Sequence, residues 1–367
     1  MLLKNRLDGI GLFAHQTLKR LTDIHPEIDF IFFFDRPYDS DFVFNKNVKP
    51  VVVFPKTLHP LLYHIWFQYS LRLKIKKYKP DLFLSPDGLL PLHAKCKQLS
   101  VIHDLNFAHN PENLPHSYAL YFNRYFPKSA NIAARIATVS EFSKNDISET
   151  YKIDKNKIDV VYNGVDAGFV PGNAQTNNET RTKFTAGSDY FLFVGSIHPR
   201  KNVGRLLQAY EKFRNETKCE FKLLIVGPVF WGMDEITKIL NTLKYKKDII
   251  FTGRLDASDL KKVVAAAFCL TYPPYFEGFG VPVVEAMRCG VPVIASNTSS
   301  LPEIGGDAAL YFDPFKIDEI KNAMIKIAND ENFRTELISK GMVQSNKFTW
   351  EKTIDRLWDS IQKCLAQ

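Results

Sequence analysis

Cysteine is scarce in this 367-residue sequence and scattered where it occurs. The five residues, Cys96, Cys219, Cys269, Cys289 and Cys364, are odd in number and contain no CxxC pair. That pattern argues against a disulfide framework or a structural zinc site, and for a reducing, cytoplasmic setting. Also missing is any uninterrupted apolar run near the ~20 residues that a membrane-spanning helix requires. The N-terminal MLLKNRLDGIG turns polar after three residues, so it lacks the basic–apolar–small order of a secretory signal. There is no HExxH, no metal-site spacing among the nine histidines, no GxSxG and no GxxxxGKS/T. Metalloprotease, esterase and P-loop readings therefore have no support, and no metal site is expected.

What is present describes a globular α/β protein. Hydrophobic residues make up 45% and charged residues 24%, the balance of a soluble chain, and the length is too great for one ordinary core. Net charge is +8, of which +6 falls in residues 1–165. A basic half of this kind suits nucleic acid, an anionic membrane or a phosphorylated acceptor. No nucleic-acid motif accompanies it, so nucleic acid is not an expected partner.

Short apolar runs alternate with amphipathic stretches, the pattern of parallel sheets covered by helices. In the first half the strand candidates are 29–34, 50–54, 81–85, 98–104, 135–140 and 158–163. Residues 11–22 read as the first helix. LLYHIWFQYSLRLKIKKY (61–78) reads as an amphipathic helix with lysines at its C-terminal end, where the helix dipole favours them. The polar, Gly/Pro/Asn/Thr-rich segment 164–188 reads as an interdomain connector. A second α/β set follows, with strand candidates at 190–196, 221–227, 248–253, 268–273, 291–296 and 309–314, and a last helix from about Thr349. The division expected is 1–165, 166–347 and a terminal helix over 348–367. A Rossmann-like domain should open on a buried strand, yet only MLL and KNR precede Asp8-Gly9-Ile10-Gly11. Either a short atypical strand serves or the chain begins after its natural first strand, and the second is favoured.

The segment most specific for chemistry is YFEGFGVPVVEAMRCGVPVIAS (275–296). Glu277 and Glu285 are separated by seven residues, with Gly278-Phe279-Gly280 and Val281-Pro282 between them. The glycines let backbone approach a ligand, and Pro282 suits the first turn of a helix. A helix from about Pro282 to Arg288 would aim its free N–H groups at an anion such as a diphosphate. One glutamate is then placed for a ribose and the other for a sugar. The bland alternative is a glycine turn with two solvated glutamates.

This segment resembles the signature of the retaining glycosyltransferase family 4. VGSIHPRKNVGRLLQAY (194–210), FTGRLDASDLKKVVAAA (251–267), VIHDLNF (101–107), ATVSEFSKNDI (137–147) and VVYNGVD (160–166) are similar to further family segments, so the likeness spans nearly the whole chain. Its closest look is to the mannosyltransferase-like branch that builds bacterial surface polysaccharides. The resemblance implies a GT-B fold: two Rossmann-like domains facing a cleft, with the C-terminal helix crossing back to the first. It implies a retaining, metal-independent hexosyltransferase, with mannose weakly preferred. The donor would be a GDP- or UDP-sugar used as co-substrate, with no cofactor, and the acceptor a glycan or lipid-linked glycan.

Residue roles follow from the same likeness. Arg200 and Lys201 would neutralise the diphosphate beside the strand-end Gly195. The family often has arginine directly after that glycine, where this sequence has Ser196. Gly253 and Arg254 would lie along the base, and His103 would contact the transferred sugar. Glu277, Gly278, Phe279, Gly280, Val281, Pro282 and Glu285 would hold the rest of the donor. Gly9, Ile10 and Gly11 resemble the first domain's glycine turn, and Asn202 reads as orienting its loop. Asp87 and Gly88 read equally as acceptor-pocket lining or a plain turn.

Other signals carry less. Asp39-Ser40-Asp41 matches a metal-binding DxD but lies in a polar loop, and reads as a surface turn. The run Tyr63, Trp66, Phe67, Tyr69 followed by Arg72, Lys74, Lys76, Lys77 and Lys79 fits a core-packed helix with solvated lysines better than an interfacial helix at the inner face of the cytoplasmic membrane. The rivals to transfer are a non-catalytic nucleotide-sugar-binding partner and a sugar-nucleotide epimerase.

Overall fold

A computed structural model describes residues 9–229 and 233–367. The chain forms two compact units, Met1–Gly164 with Trp350–Gln367, and Val165–Thr349.

In the first unit the strands β1 (Phe30–Phe34) and β2 (Val48–Val52) pair in parallel. A separate four-stranded parallel sheet is formed by β3 (Leu82–Ser85), β4 (Lys97–Val101), β5 (Arg135–Thr138) and β6 (Ile158–Val160), in that order. The question of an earlier strand lies outside the described residues. Gly9 and Gly11, expected as a glycine turn, instead open the helix Gly9–Ile24. Neither has the positive φ that a glycine turn exploits.

The amphipathic run at 61–78 is helical but not one regular helix. An α-helix over Pro60–Ile65 passes through a π-turn, Trp66–Leu71, into an α-helix over Arg72–Tyr78. Buried Gln68 sits in that turn, donating to the Leu90 carbonyl and accepting from the Leu92 amide. Trp66 donates its indole N–H to the Val53 carbonyl. These fixed polar partners set which side chains face the core, and the extra residue per turn keeps Trp66, Phe67, Leu71 and Ile75 inside.

The C-terminal helix, Trp350–Ala366, belongs to this first unit. Its Trp350, Ile354, Leu357, Ile361 and Cys364 pack with Phe13 and Leu21 of the first helix and with Leu99, Val101, Ala137 and Val161 of the sheet. Ser360 donates to Asp159, whose carboxylate also takes a two-pronged contact from Arg135.

In the second unit β7 (Tyr190–Val194), β8 (Lys222–Val226), β9 (Ile249–Gly253), β10 (Cys269–Tyr272), β11 (Val293–Ser296) and β12 (Ala309–Phe312) form one parallel sheet. Its order is β12-β11-β10-β7-β8-β9, the doubly wound Rossmann arrangement, and the order reverses between β7 and β10. Residues 191–193 and 223–225 are fully buried, as expected of strands covered on both faces. The supposed connector contains a helix, Ala174–Thr185. It escaped the sequence pattern because its buried side chains include Thr180 and Thr185, whose hydroxyls bond back to the carbonyls of Thr176 and Arg181. Asn173 caps its start by accepting from the Thr176 amide.

The outgoing and returning segments meet closely at Gly164. A Cβ there would stand 2.5 Å from the Trp350 nitrogen and 2.6 Å from its Cα. Gly164→Ala should therefore lower stability by roughly 2–4 kcal/mol. Gly187→Ala, with φ +86° but no atom within 4 Å, should cost only about 1 kcal/mol. Urea unfolding of the two variants checks the ranking.

Candidate active site

The reversal point of a doubly wound sheet leaves room above the strand ends, because the loops on either side run apart. In the second unit that point lies over β7 and β10; Gly195, Arg200, Lys201 and residues 277–282 gather there, while Gly253 and Arg254 stand at the end of the edge strand β9. Gly195 ends β7 with φ +154°, and Lys201 passes 3.6 Å from where its Cβ would be. A short 3₁₀ turn, Pro199–Lys201, then presents the two cations, its start capped by His198. Asn202 follows with φ +58° and is buried, donating to the carbonyls of Pro273 and Pro314. It orients the loop, as its type and position suggested. The Tyr275 amide donates to the Arg200 carbonyl at 3.0 Å, so the β7 and β10 loops are tied by backbone as well.

Glu277 lies between the cations. Arg200 Nη1 reaches Glu277 Oε1 at 2.7 Å, and Lys201 Nζ pairs with the same oxygen. Lys201 also donates to the Tyr272 hydroxyl at 2.6 Å, and Arg200 to the Phe276 carbonyl at 3.0 Å. Burial works against a charge on Glu277, but the two cations hold its carboxyl below the ordinary value. The backbone is pinned around it. The Glu277 amide donates to Ser299 Oγ, and Ser300 Oγ donates to the carbonyls of Glu277 and Phe279.

Gly280, with φ +103°, turns the chain into the helix Val281–Arg288, with Pro282 in its first turn. A Cβ at Gly280 would meet Leu301 Cδ2 at 2.5 Å. Val281 and Pro282 are partly exposed, while Glu285, one turn in, is buried. Burial, reinforced by Asp166 and opposed by Lys261, pushes the Glu285 carboxyl up to about 8. The pair Asp166–Lys261, 3.1 Å apart, is a neighbour that sequence spacing did not reveal.

Gly227 was also missed. It ends β8 with φ +143°, donates to the Gly253 carbonyl, and a Cβ on it would stand 2.0 Å from the Gly195 carbonyl oxygen. Gly195, Gly227 and Gly253 thus line the strand-end edge side by side, and the VG dipeptide closing two apolar runs was the available signal. Gly253 has open space around its Cα, and Arg254 after it is exposed.

His103 belongs to the first unit, just past β4. Its Nε2 lies 3.0 Å from the Pro86 carbonyl, which can only accept, so Nε2 carries the proton and Nδ1 a lone pair. Burial holds the imidazole below its ordinary value against the pull of the Pro86 carbonyl and nearby Asp104 and Asp87. Phe13 meets its ring edge-on at 5.0 Å. Asp87 itself accepts from Ser85. Asp39 caps the 3₁₀ turn Ser40–Phe42, accepting from the Asp41 amide.

Residues 175–344 match the model described as glycosyl transferases group 1, and residues 7–169 that of glycosyltransferase family 4. O-antigen chain mannosyltransferase B of Escherichia coli is 31% identical over 76% of this chain and 73% of its own length. The chain belongs to glycosyltransferase family 4. The O-antigen chain mannosyltransferase RfbU of Salmonella typhimurium is 28% identical over 75% of this chain and 72% of its own. Anabaena HepE, solved with UDP and glucose, superposes with a TM-score of 0.76 at 16% identity, over 98% of this chain and 97% of that one. The fold of this glycosyltransferase is GT-B. Among the described residues no helix is long and apolar enough to cross a membrane.

Within this glycosyltransferase the raised Glu285 value has a consequence for stability. The unfolded chain releases that proton first, so the residue costs stability as pH rises from about 4.5, with the full cost above about 8. Glu285→Gln should therefore stabilise the fold at pH 7 by about 3 kcal/mol at most and flatten the pH dependence between these limits. Thermal melting of both forms from pH 5 to pH 8.5 reads this directly.

Proposed function

We propose that the protein transfers a hexose, with mannose preferred, from a nucleoside-diphosphate sugar to a hydroxyl of a glycan or lipid-linked glycan, with retention at the anomeric carbon. The observation that carries this reading is the pair Arg200 and Lys201, held by Glu277 beside the helix start at Gly280. A diphosphate placed there meets two cations and the positive end of the helix Val281–Arg288.

As the bond from the anomeric carbon to the diphosphate oxygen breaks, negative charge grows on the leaving group. Arg200, Lys201 and the helix amides stabilise that charge more in the transition state than before it. With that charge supplied by side chains and backbone, the reading needs no divalent metal. The acceptor oxygen bonds to the anomeric carbon on the face the diphosphate leaves, and its proton passes to the leaving phosphate oxygen. A nucleoside diphosphate and the extended glycan are the products. Glu277, kept ionised, accepts from sugar hydroxyls once the diphosphate competes for its cations. Glu285 binds the ribose hydroxyls, and the Nδ1 lone pair of His103 accepts from a hydroxyl of the transferred sugar. The strand-end edge at Gly253 and Arg254 takes the base.

Mannose is supported by the names of the two O-antigen relatives, which also favours a GDP-sugar, while HepE was solved with UDP. An O-antigen-like acceptor is carried on lipid, so peripheral attachment to the inner face of the cytoplasmic membrane belongs to the same reading.

Arg200→Ala and Lys201→Ala should each lower turnover by about 10²–10³-fold, with the melting temperature falling less for half-buried Arg200 than for buried Lys201. Nucleoside diphosphate released from GDP-mannose in the presence of a polysaccharide-acceptor extract is the readout, and wild-type turnover in both variants would refute the site. Transfer should persist in excess EDTA; loss restored only by Mg²⁺ or Mn²⁺ would overturn metal independence. A melting panel of GDP-, UDP-, ADP- and dTDP-sugars should show the largest stabilisation with GDP-mannose.

A further inference from the structure

Several of the most exposed large apolar side chains among the described residues gather on one part of the first unit. Phe54, Leu58, Leu61, Tyr69, Leu73 and Leu120 are each 59–66% exposed. All but Leu120 lie on the run ending in the two-part helix with the π-turn. That helix turns Trp66, Phe67, Leu71 and Ile75 into the core, which leaves Leu61, Tyr69 and Leu73 outside. The helix His116–Ile132, which carries Leu120, lies alongside. Tyr118 donates to the Leu58 carbonyl, and Tyr63 meets the rings of Tyr118 and Tyr121 at 6.4 and 6.0 Å.

Along the run the exposed charge has one sign, the carboxylates that reach it from elsewhere being Asp35, bonded to Thr57 and paired with Arg36, and Asp87 near Tyr63. No Asp or Glu occurs between Asp41 and Asp81, an interval that holds eight Lys and Arg. Arg72, Lys76, Lys77 and Lys79 are exposed, and among the described residues none has an ion-pair partner. Arg124 and Lys128, on the neighbouring helix, sit over the Tyr125 ring.

We propose that this face is the surface by which the protein rests on an anionic lipid bilayer, with the leucines and Tyr69 entering the headgroup boundary and the cations meeting lipid phosphates. Protruding apolar tips fenced by unpaired cations fit that occupant. A second copy of the chain would bring the same positive face against its own and be repelled. A nucleic acid would be held chiefly by cations on its phosphates and would leave Leu58, Leu61, Leu73 and Leu120 in water, so it does not fit the apolar tips. The use of such a surface, reaching a lipid-carried acceptor, rests on the function proposed above. Its physics does not, so vesicle binding and sugar transfer can fail independently.

The test is flotation of the full chain with vesicles of phosphatidylcholine alone, or with about one-third phosphatidylglycerol added at low salt. Binding should appear with the anionic vesicles and fall at least tenfold in about 0.5 M NaCl. Leu61→Glu with Leu73→Glu, and separately Lys76→Glu with Lys77→Glu, should each weaken it more than tenfold, with melting temperature and the shift by donor nucleotide unchanged. Lys246→Glu with Lys247→Glu, on the second unit, makes the same change in net charge and should leave binding within twofold. Equal binding to neutral and anionic vesicles, binding to neither, or equal loss in the second-unit control would overturn the proposal. So would a dimer in sedimentation velocity that the leucine variant dissolves.

Discussion

A carboxylate enclosed with two cations is the interaction on which the strand-end loops of the second unit depend. Glu277 and Lys201 are buried and Arg200 is half-buried, and buried ions without partners would lose several kcal/mol of hydration each. Each therefore requires the others, and together they dictate where the loops after β7 and β10 stand. The two strands are neighbours in the sheet although β8 and β9 lie between them in the chain. Asn202 and the Tyr275–Arg200 backbone bond add neutral ties between the same loops. Binding a diphosphate at such a place needs no new assembly of charge. The cations are already gathered, and in the proposed reading a bound diphosphate would change only which anion they face.

Close backbone approach is the second constraint, and glycine enforces it. Gly227 cannot carry a Cβ without striking the Gly195 carbonyl, and Gly280 cannot without striking Leu301. At both positions the absent side chain lets neighbouring segments come together at the strand ends. The sheet edge and the helix start are shaped by the same device.

Much of this was readable in the residues. Apolar runs marked all twelve strands among the described residues to within a few positions, because buried parallel strands must be apolar on both faces. The Glu277–Glu285 segment was legible because its glycines, proline and carboxylates are adjacent in the chain. Contacts across the chain were not. Lys201 with Tyr272, Glu277 with Ser299, and Asp166 beside Glu285 join residues that no local pattern links. The helix Ala174–Thr185 was hidden by polar composition, since threonine can satisfy its hydroxyl on the preceding turn and still be buried. The π-turn was hidden because Gln68, a core residue bonded to Leu90 and Leu92, is polar where periodicity seeks apolar side chains.

The two glutamates show most clearly why motif and environment are separate kinds of information. They sit eight positions apart, both are buried, and as letters they are the same. Glu277 faces two cations and stays ionised; Glu285 faces Asp166 at least as much as Lys261 and tends to keep its proton near neutral pH. An ionised carboxylate can only accept hydrogen bonds, whereas a protonated one can accept and donate, which suits a pair of adjacent hydroxyls. A fold selected for stability alone would place glutamine at 285 and avoid the cost of a buried acid. In the reading proposed above, a carboxyl that keeps its proton at 285 can both donate to and accept from the ribose hydroxyls, which glutamine's amide would do with a different arrangement of donors.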